Sequence, residues 1–232
     1  MYIAEIWRYP VKSMAGELLQ SARLTALGID GDRVIQVQNA HGRVVTSRTH
    51  PKLLGFHATL DGLGQPLVDG KPWSAPGVLT SIRRIVGPGA QLVRDETPER
   101  FDVLPLLVAT DGAIAAFGRD RRRLRPNLVI GGVNGLDERT WPGSRLIVGE
   151  VVIHIEGLRG RCIMTTFDPD TLTHDPNVLR DIVKRFAGKL ALNCGVVEGG
   201  SISVGQEVKL IREADQSPRL RETPATEWLG RS

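Results

Sequence analysis

The sequence predicts an α+β fold dominated by short strands, with two or three helices. Apolar segments are brief, often β-branched, and separated by glycine and proline. Two pairs of them flank tight-turn signals. Only one stretch, residues 175–188, carries a clean helical period. Strand and helix do not alternate as in a parallel α/β sheet, so a barrel-like mixed arrangement is expected.

The elements follow in order. Residues 33–37 and 43–46 are joined by Asn39-Ala40-His41-Gly42, a hairpin signal. Glycines and prolines crowd residues 62–77 and predict turns, after which residues 78–86 are expected to form another strand. Gly87-Pro88-Gly89 opens a stretch, running to about Phe101, that should hold a subdomain boundary. Thr110-Asp111 can cap a short helix with Ala113, Ile114 and Phe117 on its apolar side. Gly149-Glu150 separates residues 146–148 from 151–155 as a second hairpin. The clearest helix has Asp175 as N-cap, Pro176 at its first position, and Leu179, Ile182, Val183 and Phe186 on one face, and it ends at Gly188. Strands near 191–197, 201–204 and 207–211 complete the domain. Residues 213–232 are expected to be a loosely packed tail.

Composition narrows the function. With 232 residues, 41% of them hydrophobic and 24% charged, the chain can bury a sizeable core without disulfides. A net charge of +4 with only 5% aromatics supplies no base-stacking surface, so no nucleic-acid partner is expected. No apolar run approaches bilayer length, and residues 1–13 mix Glu5, Arg8 and Lys12 among apolar residues, so neither a membrane nor a signal peptide is expected and the protein is placed in the cytoplasm. Nucleotide-binding glycine motifs, the zinc-protease helix and the serine-hydrolase elbow are absent. Cys162 and Cys194 are the only cysteines, too few for an iron–sulfur cluster, so a cluster-borne electron donor would be another protein.

Cys162 stands between Arg161 and Ile163, with Arg159 close by. Such cations favour thiolate, the form that ligates metals and attacks electrophiles; the competing reading is a small buried apolar residue. Cys194 lies in an apolar strand and reads as structural. Asp168 and Asp170 read either as a carboxylate pair or as a turn around Pro169. His50 is either a surface residue or one overhanging a substrate opening. Arg119, Arg121, Arg122, Arg123 and Arg125 form a basic run, read as a solvated loop except at Arg125, or as a dock for an acidic electron donor.

Several motifs, in order, resemble those of the MOSC family, named from the C-terminal part of molybdenum cofactor sulfurase. Tyr9-Pro10-Val11-Lys12-Ser13-Met14, Gly31-Asp32-Arg33 and Thr46-Ser47-Arg48-Thr49-His50-Pro51 are similar to its N-terminal β-barrel domain. Leu124-Arg125-Pro126-Asn127, Trp141, the Cys162 segment and Val204-Gly205-Gln206-Glu207-Val208 are similar to the MOSC domain itself. The likeness is strongest to the amidoxime-reducing members. It implies a MOSC β-barrel domain over 96–212 packed with an N-terminal barrel-like domain over 1–95.

The resemblance also implies a molybdenum cofactor, with Cys162 as catalytic residue and metal ligand and with Lys12, Ser13, Arg33, Arg125, Asn127 and Arg161 around the molybdopterin. The implied activity is reduction of small N-hydroxylated, or other N- or S-oxygenated, compounds with electrons from a separate reductase. The alternative is a carrier of sulfur or cofactor, holding a persulfide or molybdenum at Cys162; a module that stores cofactor without turnover is a third reading. Val103 and Leu104 stand where these relatives carry hydroxyl residues, and Gly160 where they carry serine.

Overall fold

The computed structural model describes residues 1–212, so the expected tail at 213–232 lies outside the described residues. Eight strands make the main sheet, in the order Lys209–Ile211, Arg145–Val148, Val151–Gly160, Lys189–Glu198, Leu106–Thr110, Leu128–Gly131, Tyr2–Arg8, Glu17–Leu19. Neighbours are antiparallel except Leu106–Thr110 and Leu128–Gly131, which run parallel because helix Asp111–Phe117 carries the chain back between them. Three small sheets of three strands accompany it.

The main sheet curls toward its own first strand. Ile3 N–H donates to Gln206 O at 2.9 Å and Val208 N–H to Met1 O at 2.9 Å, just ahead of Lys209–Ile211. Tyr2 and Glu207 form only an isolated bridge, so the barrel expected from the family resemblance is a curled sheet without a closed ladder. Ile3, Ile6, Leu128, Ile130, Ile153 and Leu192 are among the buried residues inside the curl.

The two halves share strands. Tyr2–Arg8 lies in the main sheet, and Ser21–Thr25 pairs with Gly200–Ser203. Residues 31–100 then build a smaller lobe around Val11, Met14, Ile35, Leu53 and Ile82. There the first hairpin is as expected, with Ile35–Gln38 against Val44–Val45 and Asn39 Oδ1 accepting from the amides of His41 and Arg43. Gln91–Arg94 pairs with Ile35–Gln38 as well, so the small lobe continues past Gly87-Pro88-Gly89.

Two expectations need correction. Residues 78–86 are not a strand: Pro76–Val86 is an α-helix. Pro76 presets its first turn, Val78 and Ile82 reach the core one turn apart, and Arg83 and Arg84 sit in the last turn, where the helix dipole favours cations. The β-branched content had suggested extension, but the period of burial is four, not two. The helix expected from Asp175 spans Asn177–Phe186, with Asp175 Oδ1 accepting from Asn177 N–H at 3.0 Å. It buries Val178, Ile182 and Phe186, whereas Val183 is 57% exposed, because the helix is rolled toward the Phe117 and Leu124 cluster. Helix Asp111–Phe117 is capped as foreseen, Thr110 Oγ1 accepting from Ala113 N–H at 3.1 Å. Among the described residues no helix is long and apolar enough to cross a membrane.

Candidate functional site

A cavity between the small lobe and the main sheet collects all seven residues singled out from the sequence: Lys12, Ser13, Arg33, Arg125, Asn127, Arg161 and Cys162. Four chain segments deliver them. Lys12 and Ser13 follow the first strand, where Lys12 N–H donates to Ile35 O at 2.8 Å and Arg33 N–H to Tyr9 O at 2.8 Å. Arg125 and Asn127 precede Leu128–Gly131. Val151–Gly160 brings Arg159, Arg161 and Cys162 in, its pairing with Lys189–Glu198 shifting register between Ile155 and Gly157 and again between Leu158 and Gly160. Such irregularities turn a strand end and re-aim its side chains.

Ser13, Arg33 and Arg125 all hold positive φ, at 73°, 56° and 55°. A left-handed backbone at a residue other than glycine costs on the order of 1–3 kcal/mol and persists where surrounding contacts dictate it. Here those contacts are visible. Asp32, fully buried, accepts from Tyr9 N–H at 2.7 Å and from Asn127 Nδ2 at 3.1 Å, and pairs with Arg33. Asn127 also donates to Trp7 O at 3.3 Å and accepts from Leu107 N–H at 3.1 Å and Arg33 Nη1 at 3.3 Å. Both its amide hydrogens are therefore spent on protein, which makes Asn127 a bolt that sets Arg33 at the cavity wall.

Three cations of the cavity lack a carboxylate partner among the described residues: Arg100, 4% exposed and held by four backbone carbonyls, and Arg125 and Arg161. Arg125 lies over the Tyr9 ring at 4.3 Å, and neither it nor Arg161 meets a carboxylate among the described residues. Arg161 donates to Leu124 O at 2.7 Å, while its buried Nε has no partner. Burial pushes the guanidiniums of Arg125 and Arg161 down to about 10. Burial also pushes the Tyr9 hydroxyl up to about 12, and it donates to Pro126 O at 3.1 Å.

The outer part of the cavity is partly compensated. Asp102 accepts Lys12 Nζ at 3.0 Å, pairs with Arg48, and stands 3.7 Å from Arg159 Nη2. Burial would raise its carboxyl, but these cations hold it below the usual carboxylate value. Arg48 and Asp102 were not selected from the sequence, and Arg159 was read there only as a cation near the thiol. Arg48 and Arg159 sit inside the quoted motifs, but nothing local distinguishes Asp102, which its fold neighbours define. Val103, Leu104 and Gly160 line the same cavity and bring no side-chain hydrogen bond to it.

Cys162 is half-buried on this wall, ahead of the turn Ile163–Thr166, with its carbonyl accepting Thr165 N–H at 3.1 Å and Thr165 Oγ1 at 2.9 Å. Arg48, Arg159 and Arg161 all lie near enough to interact electrostatically with its sulfur. Cys194 is fully buried in Lys189–Glu198, both thiols are free, and burial pushes the Cys194 thiol up. Asp168 and Asp170 resolve as a turn: Asp168 Oδ1 accepts the amides of Asp170 and Thr171, and the two carboxylates pair with Arg123 and Arg122. His50 lies off the cavity wall, against Thr49 Oγ1 at 2.9 Å.

Among the described residues no cluster of three or more His, Cys, Asp or Glu side chains is arranged to hold a metal. A metal seated at Cys162 would need most of its ligands from elsewhere. Fold and cavity together define a β-dominated protein with a cation-rich cavity that carries one accessible thiol on its wall. Residues 1–74 match the MOSC N-terminal beta barrel domain and residues 113–209 the MOSC domain, and the chain belongs to the MOSC-domain proteins. It is 24% identical to mitochondrial amidoxime reducing component 2 of Macaca fascicularis and 26% identical to that of Homo sapiens, each match covering 79% of this chain and 72% of the relative. It is 25% identical to mitochondrial amidoxime-reducing component 1 of Homo sapiens, over 73% of this chain and 67% of the relative. The crystal structure of the YUAD protein from Bacillus subtilis has a similar fold, with a TM-score of 0.51 at 13% identity over 90% of this chain and 94% of that one.

Proposed function

We propose that the cavity holds a molybdenum cofactor and that the protein is an oxidoreductase acting on small N-hydroxylated, or other N- or S-oxygenated, compounds. The observation that carries this reading is the pair of half-buried guanidiniums, Arg125 and Arg161, left without carboxylates beside an accessible thiol. A polyanion that brings its own metal ligands fits both halves of that description. The pterin's phosphate suits guanidinium forks, its dithiolene sulfurs supply the ligands the chain lacks, and Cys162 adds a soft thiolate. The names of the amidoxime-reducing relatives point to the same substrate class.

When bound, the cofactor supplies two-electron oxygen-atom transfer. The chain's own residues do the rest. Cys162 ligates, Arg125 and Arg161 bind and orient the phosphate, and Asn127 with Asp32 fixes Arg33 toward the ligand. Lys12 and Ser13 close the small-lobe side, where Ser13 Oγ accepts Ser47 N–H at 3.0 Å and so ties the 46–50 loop to the cavity. Val103 and Leu104 contribute shape in place of the hydroxyls common among relatives, leaving the grip to the cations. Electrons come from a separate redox protein.

The test is metal and pterin content after expression in a host that loads other molybdoenzymes. Close to one molybdenum and one pterin per chain, with N-hydroxy reduction by a chemical or protein donor, is expected. Neither metal nor pterin, together with a persulfide on Cys162 detected by mass spectrometry, would replace this reading with the sulfur carrier.

A further inference from the structure

Among the described residues Asp102 is the one carboxylate lining a cavity whose other charged residues are all cations. It sits where three of them meet, Lys12 and Arg48 from the small lobe and Arg159 from the strand that leads to Cys162. Lys12 Nζ is held additionally by Arg100 O at 2.7 Å, and Arg159 Nη1 by Asn193 Oδ1 at 3.2 Å, so both are fixed without Asp102. Arg48 is held by Asp102 and reaches toward the Cys162 sulfur, and its side chain is 43% exposed. Without the carboxylate, three fixed or nearly fixed cations would face the space in front of the sulfur. That is the geometry of an oxyanion site, and here a protein carboxylate occupies it.

We propose that Asp102 is a specificity-determining residue: by occupying the position between Lys12, Arg48 and Arg159 and offsetting one of their three positive charges, it disfavours small oxyanions and anionic substrates at the approach to Cys162 relative to neutral ones. The substrate part of this inference rests on the oxidoreductase reading above. The electrostatic part stands on the cavity alone. The division of labour is physical. Arg125 and Arg161, without carboxylates, attract the one anion that belongs there, while the outer cations already share a carboxylate, so that solutes in solution compete less for the same entrance.

Two alkylating reagents read the field directly. Iodoacetamide is neutral and iodoacetate anionic; each is attacked by the same thiolate, forming a carbon–sulfur bond and releasing iodide. Their rate ratio therefore cancels the fraction of sulfur that is ionised and reports the charge around it. Cys194 is buried, so modification of the folded chain reports Cys162. With the full chain produced in a host lacking the cofactor, Asp102→Asn should raise the iodoacetate-to-iodoacetamide ratio roughly fivefold, the size expected for one charge at close range in a partly solvated site. Asp102→Glu should keep the wild-type ratio, and Arg48→Gln should lower it.

A ratio unchanged in Asp102→Asn, or raised in Arg48→Gln, overturns the proposal. Should Asp102→Asn fail to fold, the Arg48→Gln arm decides alone. On the cofactor-loaded protein, Asp102→Asn should shift kcat/KM toward a carboxylated N-hydroxy compound relative to its neutral parent, mainly through KM. If loaded wild type reduces neither compound while the alkylation ratios move as expected, the oxidoreductase reading fails and the charge-screening role stands.

Discussion

Arg119, Arg121, Arg122, Arg123 and Arg125 occupy one short stretch, and the first four each meet a carboxylate: Asp175, Glu5, Asp120 with Asp170, and Asp168. Arg125 meets the face of Tyr9 instead and is half-buried against it. Arg161, from a distant strand end, also lacks a carboxylate partner among the described residues, while Arg159 two residues earlier stands 3.7 Å from Asp102. Density of positive charge therefore does not mark the receiving part of the cavity. What marks it is positive charge that has been partly desolvated and left uncompensated, an arrangement that costs stability unless a ligand repays it.

The sharpest way to break the comparison is at the sulfur. Cys162→Ser should abolish N-hydroxy reduction and release molybdenum, with the thermal midpoint of the cofactor-free chain unchanged, since the residue is only half-buried. Cys194→Ser should do the reverse, keeping activity while costing about 1–3 kcal/mol in chemical denaturation, because a hydroxyl enters an apolar sheet interior. Equal loss of activity from both would point to a two-thiol mechanism.

At Arg125, substitution by alanine should lower cofactor affinity by about tenfold or more, the effect of losing a charge-assisted contact worth roughly 1.5–3 kcal/mol. The cofactor-free protein should be no less stable, because the half-buried guanidinium lacks a carboxylate to lose. A cofactor-free variant that unfolds readily while the folded fraction stays fully loaded would make Arg125 a structural residue and place the phosphate elsewhere.

Asp102 gives a smaller, pH-dependent effect. Its folded carboxyl lies below its ordinary value of 3.8, so the stabilisation it brings is complete above that value and is lost as pH falls through the lower folded one. The stability gap between wild type and Asp102→Asn should be flat from pH 7 to 5 and narrow only below about pH 4. With Asp102 about 30% exposed, the gap should not exceed about 1 kcal/mol. Smallest of all, Arg121→Ala breaks an ion pair with Glu5 that faces solvent, and should cost about 0.2–1 kcal/mol with cofactor content unchanged. A loss of cofactor there equal to that in Arg125→Ala would erase the distinction between paired and unpaired arginines.

Much of this was legible in the chain because it is local. Asn39 and Gly42 turn a hairpin, Thr110 caps a helix, and Gly149 with Glu150 reverses a strand wherever they occur. The Cys162 segment and the Arg125-Pro126-Asn127 triplet were recognisable as ordered motifs, and the fold brings them to one cavity. Residues 76–86 misled because valine and isoleucine serve strands and helices alike. Only the lobe packed against them selects a period of four over a period of two.

What the sequence determined by itself was the supply: a β-dominated chain, two thiols, and an excess of arginine around one of them. The apolar strand around Cys194 already marked it as the structural thiol, but which arginines are free of a carboxylate was decided by the tertiary structure. Asp102 and Arg159 are far apart in the chain, as are Asp168 and Arg123, and ion pairs between distant residues leave no trace in either local segment. Compensation of charge is a property of three-dimensional neighbours, falling off with distance in space rather than along the sequence. For that reason the chain can name its cations, and only the fold can say which of them remain unpaired.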